Sequence, residues 1–204
     1  MSTSRATIPP YFCDVQTILQ RYVAQVGSNE ASYEAFVKVW NDLNFSCMHF
    51  CNSPYQSSDD FLQSLYQAAI LFLEHPATAL GSSTVRGFAS TMKSGDSDQH
   101  DKDILRRVQS GCIFLLHGLF ATQPVENRSK LAARVTLDSE KCMHDISSRG
   151  GDVEKAYNTL VQEGGLRIVA GPRHGPALAP NTLEKERRAR YKEWTPQGFR
   201  YSKK

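Results

Sequence analysis

The segment GCIFLLHGLFATQP, from Gly111 to Pro124, constrains the fold more than any other part of this 204-residue chain. It is the most apolar run in the sequence, holds two glycines seven residues apart and stops on Thr-Gln-Pro. Seven residues make about two turns of α-helix, so Gly111 and Gly118 share a face. Each glycine costs roughly 1 kcal/mol against alanine in a helix interior. Close approach of another backbone is the commonest reason for tolerating that cost. This helix is therefore expected to have a neighbour pressed onto its glycine face. The longest apolar run is broken by His117 and the two glycines, and falls short of the roughly 18 residues a membrane span needs.

Helical periodicity recurs on both sides of this segment. In DVQTILQRYVAQV, the residues Val15, Ile18, Leu19, Tyr22, Val23 and Val26 repeat at helical spacing up to Gly27. SYEAFVKVWNDLNF reads as a second helix with Ser32 as N-cap and Phe36, Val39, Trp40 and Leu43 on one side. SSDDFLQSLYQAAILFLEHP is a third. Its paired aspartates suit a positive helix N-terminus, Leu62, Leu65, Ala69 and Phe72 line a core face, and Pro76 ends it. The fourth helix is predicted to begin near Lys102 and to run through the glycine segment to about Ala121. SEKCMHDISSR is a weaker fifth. DVEKAYNTLVQEGG is a sixth, with Val153, Ala156, Tyr157 and Leu160 inward and a double-glycine stop. LRIVAG reads as one short extended segment.

The pattern predicts an all-α fold, an irregular bundle of about six to seven helices with a basic C-terminal helix. Residues 1–80 carry the N-terminal helices, and residues 81–103, rich in Ser, Gly and Asp, read as a flexible loop. Residues 104–170 form the second half of the helical core. Residues 171–204 combine a Pro-rich linker with a helix capped by Asn181 and Glu184.

Charge is unevenly spread. Residues 1–103 hold 6 Lys/Arg against 11 Asp/Glu, whereas residues 104–204 hold 18 against 10. The stretch 183–204 alone has 8 basic and 3 acidic residues. There Arg187, Arg188, Arg190 and Lys192 are interleaved with Tyr191 and Trp194, a combination suited to phosphate contacts with an aromatic beside them. The segment has no base-reading motif, so it would supply affinity more than sequence choice.

Catalytic and metal chemistry find little support. Cys47, His49 and Cys51 in CMHFC lack the second ligand pair a structural zinc site needs, and buried reduced thiols are the expected reading. The five cysteines form no CxxC motif, and MSTSRATIPPYF lacks the apolar core of a signal peptide, so an intracellular chain is expected. There is no G-x-S-x-G elbow and no Walker loop. His117 reads as a packed or interfacial histidine. No enzyme, no metal and no cofactor are expected.

Two segments resemble one family. YEAFVKVWNDLNF is similar to the "aromatic-Glu-x-Phe-x-x-x-Trp-x-x-apolar-x-Phe" segment of snRNA-activating protein complex subunit 1. GCIFLLHGLFATQP resembles that family's "Gly-Ala-Leu-Tyr-Leu-Leu-Tyr-Gly-Leu-Tyr-x-Thr-Gln", matching Gly111, Leu115, Leu116, Gly118, Leu119, Phe120, Thr122 and Gln123 without a gap. KLAARVTLDSEKCMHDI and the Ala156-Tyr157 pair add weaker support, and the likeness covers roughly residues 14–170, with 81–103 as an insertion. Gln109 stands where the family usually has arginine, with Arg106 and Arg107 just upstream.

The resemblance implies a non-catalytic, nuclear scaffold subunit of a complex that binds the proximal promoter element of small nuclear RNA genes. It implies a Myb-repeat subunit and a zinc-containing subunit as partners, which carry most of the base reading. Trp40, Gly111, Leu115, Gly118 and Phe120 are then the expected partner interface. Arg187, Arg188, Arg190 and Lys192 are the expected contacts to promoter DNA, mainly to phosphates. The competing reading is a cytoplasmic α-helical adaptor for protein–protein interaction. Salt-sensitive DNA binding separates the two, because only phosphate contacts release counterions.

Overall fold

The computed structural model describes residues 9–27, 30–51, 56–80, 97–124 and 129–169. The chain divides into two units, Met1–Ala170 and Gly171–Lys204. All described residues belong to the first, so the linker and basic helix expected over residues 171–204 lie outside them.

Local chemistry sets the helix ends. Helix α1 (Pro10–Val26) starts on a proline, whose fixed φ suits a first turn, and ends at Gly27 with a φ of 58°. Helix α2 (Tyr33–Asp42) is capped by Ser32, whose Oγ accepts the Ala35 N–H. Asn44, left-handed at φ 48°, then turns the chain into a 3-10 segment, Phe45–Phe50. Helix α3 (Ser58–Glu74) has Ser57 accepting the Asp60 N–H and two aspartates in its first turn. After one more helical turn over residues 76–80, the long helix α4 spans Ser97–Ala121. Strand β1 (Ala133–Val135) leads through the Thr136 cap into helix α5 (Leu137–Ser147). Helix α6 (Gly151–Gln162) and strand β2 (Leu166–Ile168) complete the described residues.

The result is the all-α bundle that periodicity predicts. Helix α4 is its centre and packs against α1, α2, α3, α5 and α6. From Ser110 to Phe120 every residue except His117 is buried. A helix that is apolar all round has to lie inside, and this one does. The inward residues assigned to the third and sixth helices are all buried, including Leu65, Ala69, Phe72 and Leu160.

Three expectations need correction. Helix α4 begins at Ser97 rather than near Lys102, so residues 97–103 are helical; residues 81–96 lie outside the described residues. This extension is held locally: Gln99 Nε2 donates to Asp103 Oδ1 (3.1 Å), and Arg106 pairs with the same carboxylate (3.0 Å). Next, Ala133–Val135 is a strand that pairs in parallel with β2 across the α5–α6 crossover. Three residues are too few for a periodic signal. Finally, CMHF lies in the 3-10 segment and Cys51 directly after it; Phe45 and His49 are buried, whereas Cys47 and Cys51 are exposed and not the buried thiols expected.

Candidate partner and nucleic-acid surfaces

The glycine face of α4 receives rings. A Cβ on Gly111 would stand 2.8 Å from Tyr22 Cδ1 and 3.1 Å from Leu19 Cδ2, both on α1. One on Gly118 would stand 3.0 Å from Trp40 Cζ3 on α2. The expectation of a neighbouring backbone is thus corrected: the missing side chains make room for aromatic side chains. Those rings belong to one cluster. Tyr22 lies edge-on to Phe36 (5.6 Å) and Phe114 (5.9 Å), and Trp40 stacks obliquely on Phe45 (5.0 Å). The Tyr22 hydroxyl is buried beside the Ser32 backbone without a well-aligned hydrogen bond among the described residues, so ring packing fixes its position.

Trp40, Gly111, Leu115, Gly118 and Phe120 are therefore all interior. Gly111 and Gly118 face Tyr22 on α1 and Trp40 on α2, whereas the Phe120 ring lies by Gly165 with Lys130 Nζ 4.9 Å from its centre. They shape the core of the helical unit, and their side chains are not offered at its surface.

Polar groups fasten the ends of this core. Tyr33 Oη and His117 Nδ1 share a hydrogen bond of 2.9 Å, which ties α2 to α4. The Tyr33 N–H donates to Asp152 Oδ2 (3.1 Å), joining the start of α2 to the start of α6. His49 Nε2 meets Thr122 Oγ1 at 2.9 Å, and that hydroxyl is also within 2.8 Å of the Gly118 carbonyl. Burial pulls both imidazoles below their ordinary pKa, and for His117 nearby Glu163 opposes the shift while Lys130 adds to it. Burial likewise pushes the Tyr33 phenol up. A neutral imidazole beside a protonated phenol is a structural contact and activates no nucleophile. The Cys112 thiol is fully buried and pushed up by the same desolvation.

Thr-Gln-Pro ends the glycine segment because its polar side chains have fixed partners. Gln123 Nε2 donates to Tyr66 Oη (2.8 Å) and to the Leu131 carbonyl (3.0 Å), while its Oε1 accepts the Leu131 N–H (2.7 Å). One amide thus pins the chain after α4 against α3 and starts β1. Two more glutamines continue the pattern. Gln63 Nε2 donates to the Ala132 carbonyl (2.7 Å), and Gln67 Nε2 to the Arg134 carbonyl (2.8 Å). Gln109, at the position where arginine was expected from the resemblance, donates to the Leu73 carbonyl (3.2 Å). Sequence reasoning missed the role of Gln63 and Gln67. Their i, i+4 spacing on α3 was the only signal, and it has no meaning until β1 is known.

Arg187, Arg188, Arg190 and Lys192 lie outside the described residues. Among the described residues no group of three or more His, Cys, Asp or Glu side chains stands close enough to hold a metal ion, and no helix is long and apolar enough to cross a membrane.

Comparison with protein families supplies the remaining finding. The model of one family, described as small nuclear RNA activating complex (SNAPc), subunit 1, matches residues 12–192. No curated protein and no solved structure matches the chain.

Proposed function

Because the chain belongs to the family of subunit 1 of the small nuclear RNA activating complex, we propose that it is the non-catalytic scaffold of such a complex in the nucleus. It helps the complex bind the proximal promoter element of small nuclear RNA genes and supports initiation there. The family match over residues 12–192 carries this reading, since it spans most of the chain rather than one motif. The family is one of transcription-complex subunits and not a known enzyme family.

In this role the helical unit holds a Myb-repeat subunit and a zinc-containing subunit. Trp40, Gly111, Leu115, Gly118 and Phe120 contribute by setting the shape that those partners meet. Arg187, Arg188, Arg190 and Lys192, in the basic C-terminal stretch, contact promoter phosphates. Phosphate contacts position a complex on DNA and carry no sequence information of their own.

The test is reconstitution of the complex with wild-type chain and with all four basic residues changed to alanine. DNA affinity should weaken about equally for the promoter element and for a scrambled duplex. The slope of log K against log salt should become shallower by roughly 0.9 for each phosphate that is no longer neutralised. An unchanged slope and affinity refutes the phosphate role. Failure of the wild-type chain to assemble with the other subunits refutes the scaffold reading itself.

A further inference from the structure

Among the described residues the two-stranded sheet is closed along one edge and open along the other. In a parallel ladder the N–H and C=O of one residue point to the same side, and the side alternates along the strand. The Ala133 N–H donates to the Gly165 carbonyl (2.8 Å), and the Val169 N–H to the Val135 carbonyl (2.9 Å). Ala133 and Val135 thus face β2, while Ala132 and Arg134 face α3, where Gln63 and Gln67 take up their backbone groups. On β2 the same alternation turns Arg167 toward β1 and turns the N–H and C=O of Leu166 and Ile168 outward. Among the described residues nothing bonds these outward groups, and the Ile168 side chain beside them is 57% exposed.

Charge adds a second, independent observation. Arg134 and Arg167 are register partners, so their side chains leave the same face of strands about 4.8 Å apart. Neither is buried, and among the described residues neither forms an ion pair. Like charges directly opposite each other on neighbouring strands are destabilising. Among the described residues β2 thus offers an unbonded strand edge, with the arginine pair on one face of the sheet and the exposed isoleucine on the other.

We propose that the outer edge of β2 is a docking site for an extended acidic segment of a partner protein. The segment adds as a third strand, bonding the Leu166 and Ile168 backbone, with an apolar residue beside Ile168 and a carboxylate over Arg167 and Arg134. A nucleic-acid phosphate answers the arginines alone and leaves the backbone edge and the isoleucine unmet, whereas a strand answers all three. The inference does not depend on the promoter reading.

The test uses the full chain, labelled with nitrogen-15, and a nine-residue peptide alternating valine and glutamate. The peptide should shift the amide signals of residues 165–169 and slow hydrogen exchange at Leu166 and Ile168. A peptide with lysine in place of glutamate should not bind. R134E/R167E should weaken binding of the acidic peptide at least tenfold. Ile168→Pro removes an outward N–H and leaves the ladder to β1 intact, so it should weaken binding as much. Should the proline variant unfold, Ile168→Asp serves instead, placing a like charge against the peptide. Absence of binding to the wild-type chain overturns the proposal. So does binding that survives the change at Ile168, or a duplex DNA that binds this face and is released only by changing the arginine pair.

Discussion

Gly111→Ala sets two effects of similar size against each other, and the structure decides the sign. Alanine regains roughly 1 kcal/mol of helix propensity. Its Cβ, however, arrives 2.8 Å from Tyr22 Cδ1 and 3.1 Å from Leu19 Cδ2, where carbon contacts prefer about 3.5–4.0 Å. The ring must retreat by about 0.7 Å to reach that range. Tyr22 is fully buried and held edge-on by Phe36 and Phe114, so it has no free direction to move. Overpacking of this kind costs about 1–3 kcal/mol. The expected net effect is a destabilisation of about 1 kcal/mol, or a midpoint lowered by about 2–4 °C. Urea unfolding of the full chain, followed by far-ultraviolet circular dichroism at constant m, measures it. A double-mutant cycle isolates the contact. With Tyr22→Leu as background the ring is gone, and the same alanine should stabilise by about 1 kcal/mol. With Tyr22→Phe, which keeps the ring, the cost should persist. If Gly111→Ala stabilises the wild-type chain as much as the Tyr22→Leu variant, the glycine is not there to seat the ring.

Two further outcomes follow from the polar contacts. Gln123→Leu strands the Leu131 N–H, leaves the Leu131 carbonyl only its longer bond from Tyr66 Oη (3.3 Å) and takes a donor from the Tyr66 hydroxyl, so it should cost about 1–3 kcal/mol; thermal unfolding with no measurable loss would refute the clamp. Burial holds His49 and His117 below their ordinary pKa, so the unfolded chain takes up protons before the folded one does. Stability should therefore fall as pH drops below about 6.5 and level off under the folded-state values. A His49→Gln, His117→Asn variant should lose that part of the pH dependence, and identical profiles between about pH 7.5 and 5.5 would contradict the assignment.

The helices were legible because their signals are local. Ser32 as a cap, the paired aspartates opening α3, Gly27 as a stop, and the inward sets on α3 and α6 each follow from spacing within a dozen residues. The segment around Gly111 and Gly118 was legible as a buried helix for the same reason, and its order of residues was enough to resemble one family. What met those glycines was not legible. A glycine face reports only that something comes close, and whether a backbone or a ring arrives depends on how α1 and α2 cross α4. The same holds for β1, whose partner lies about thirty residues further on behind two helices, and for Gln63 and Gln67, which have work to do only beside that strand. The sequence alone determined the main helices of the described residues, their inward faces and the likeness to a transcription-complex subunit. Tertiary structure decided which residues touch, because periodicity repeats along the chain and can be read there, while a contact between distant residues exists only once the helices between them have packed.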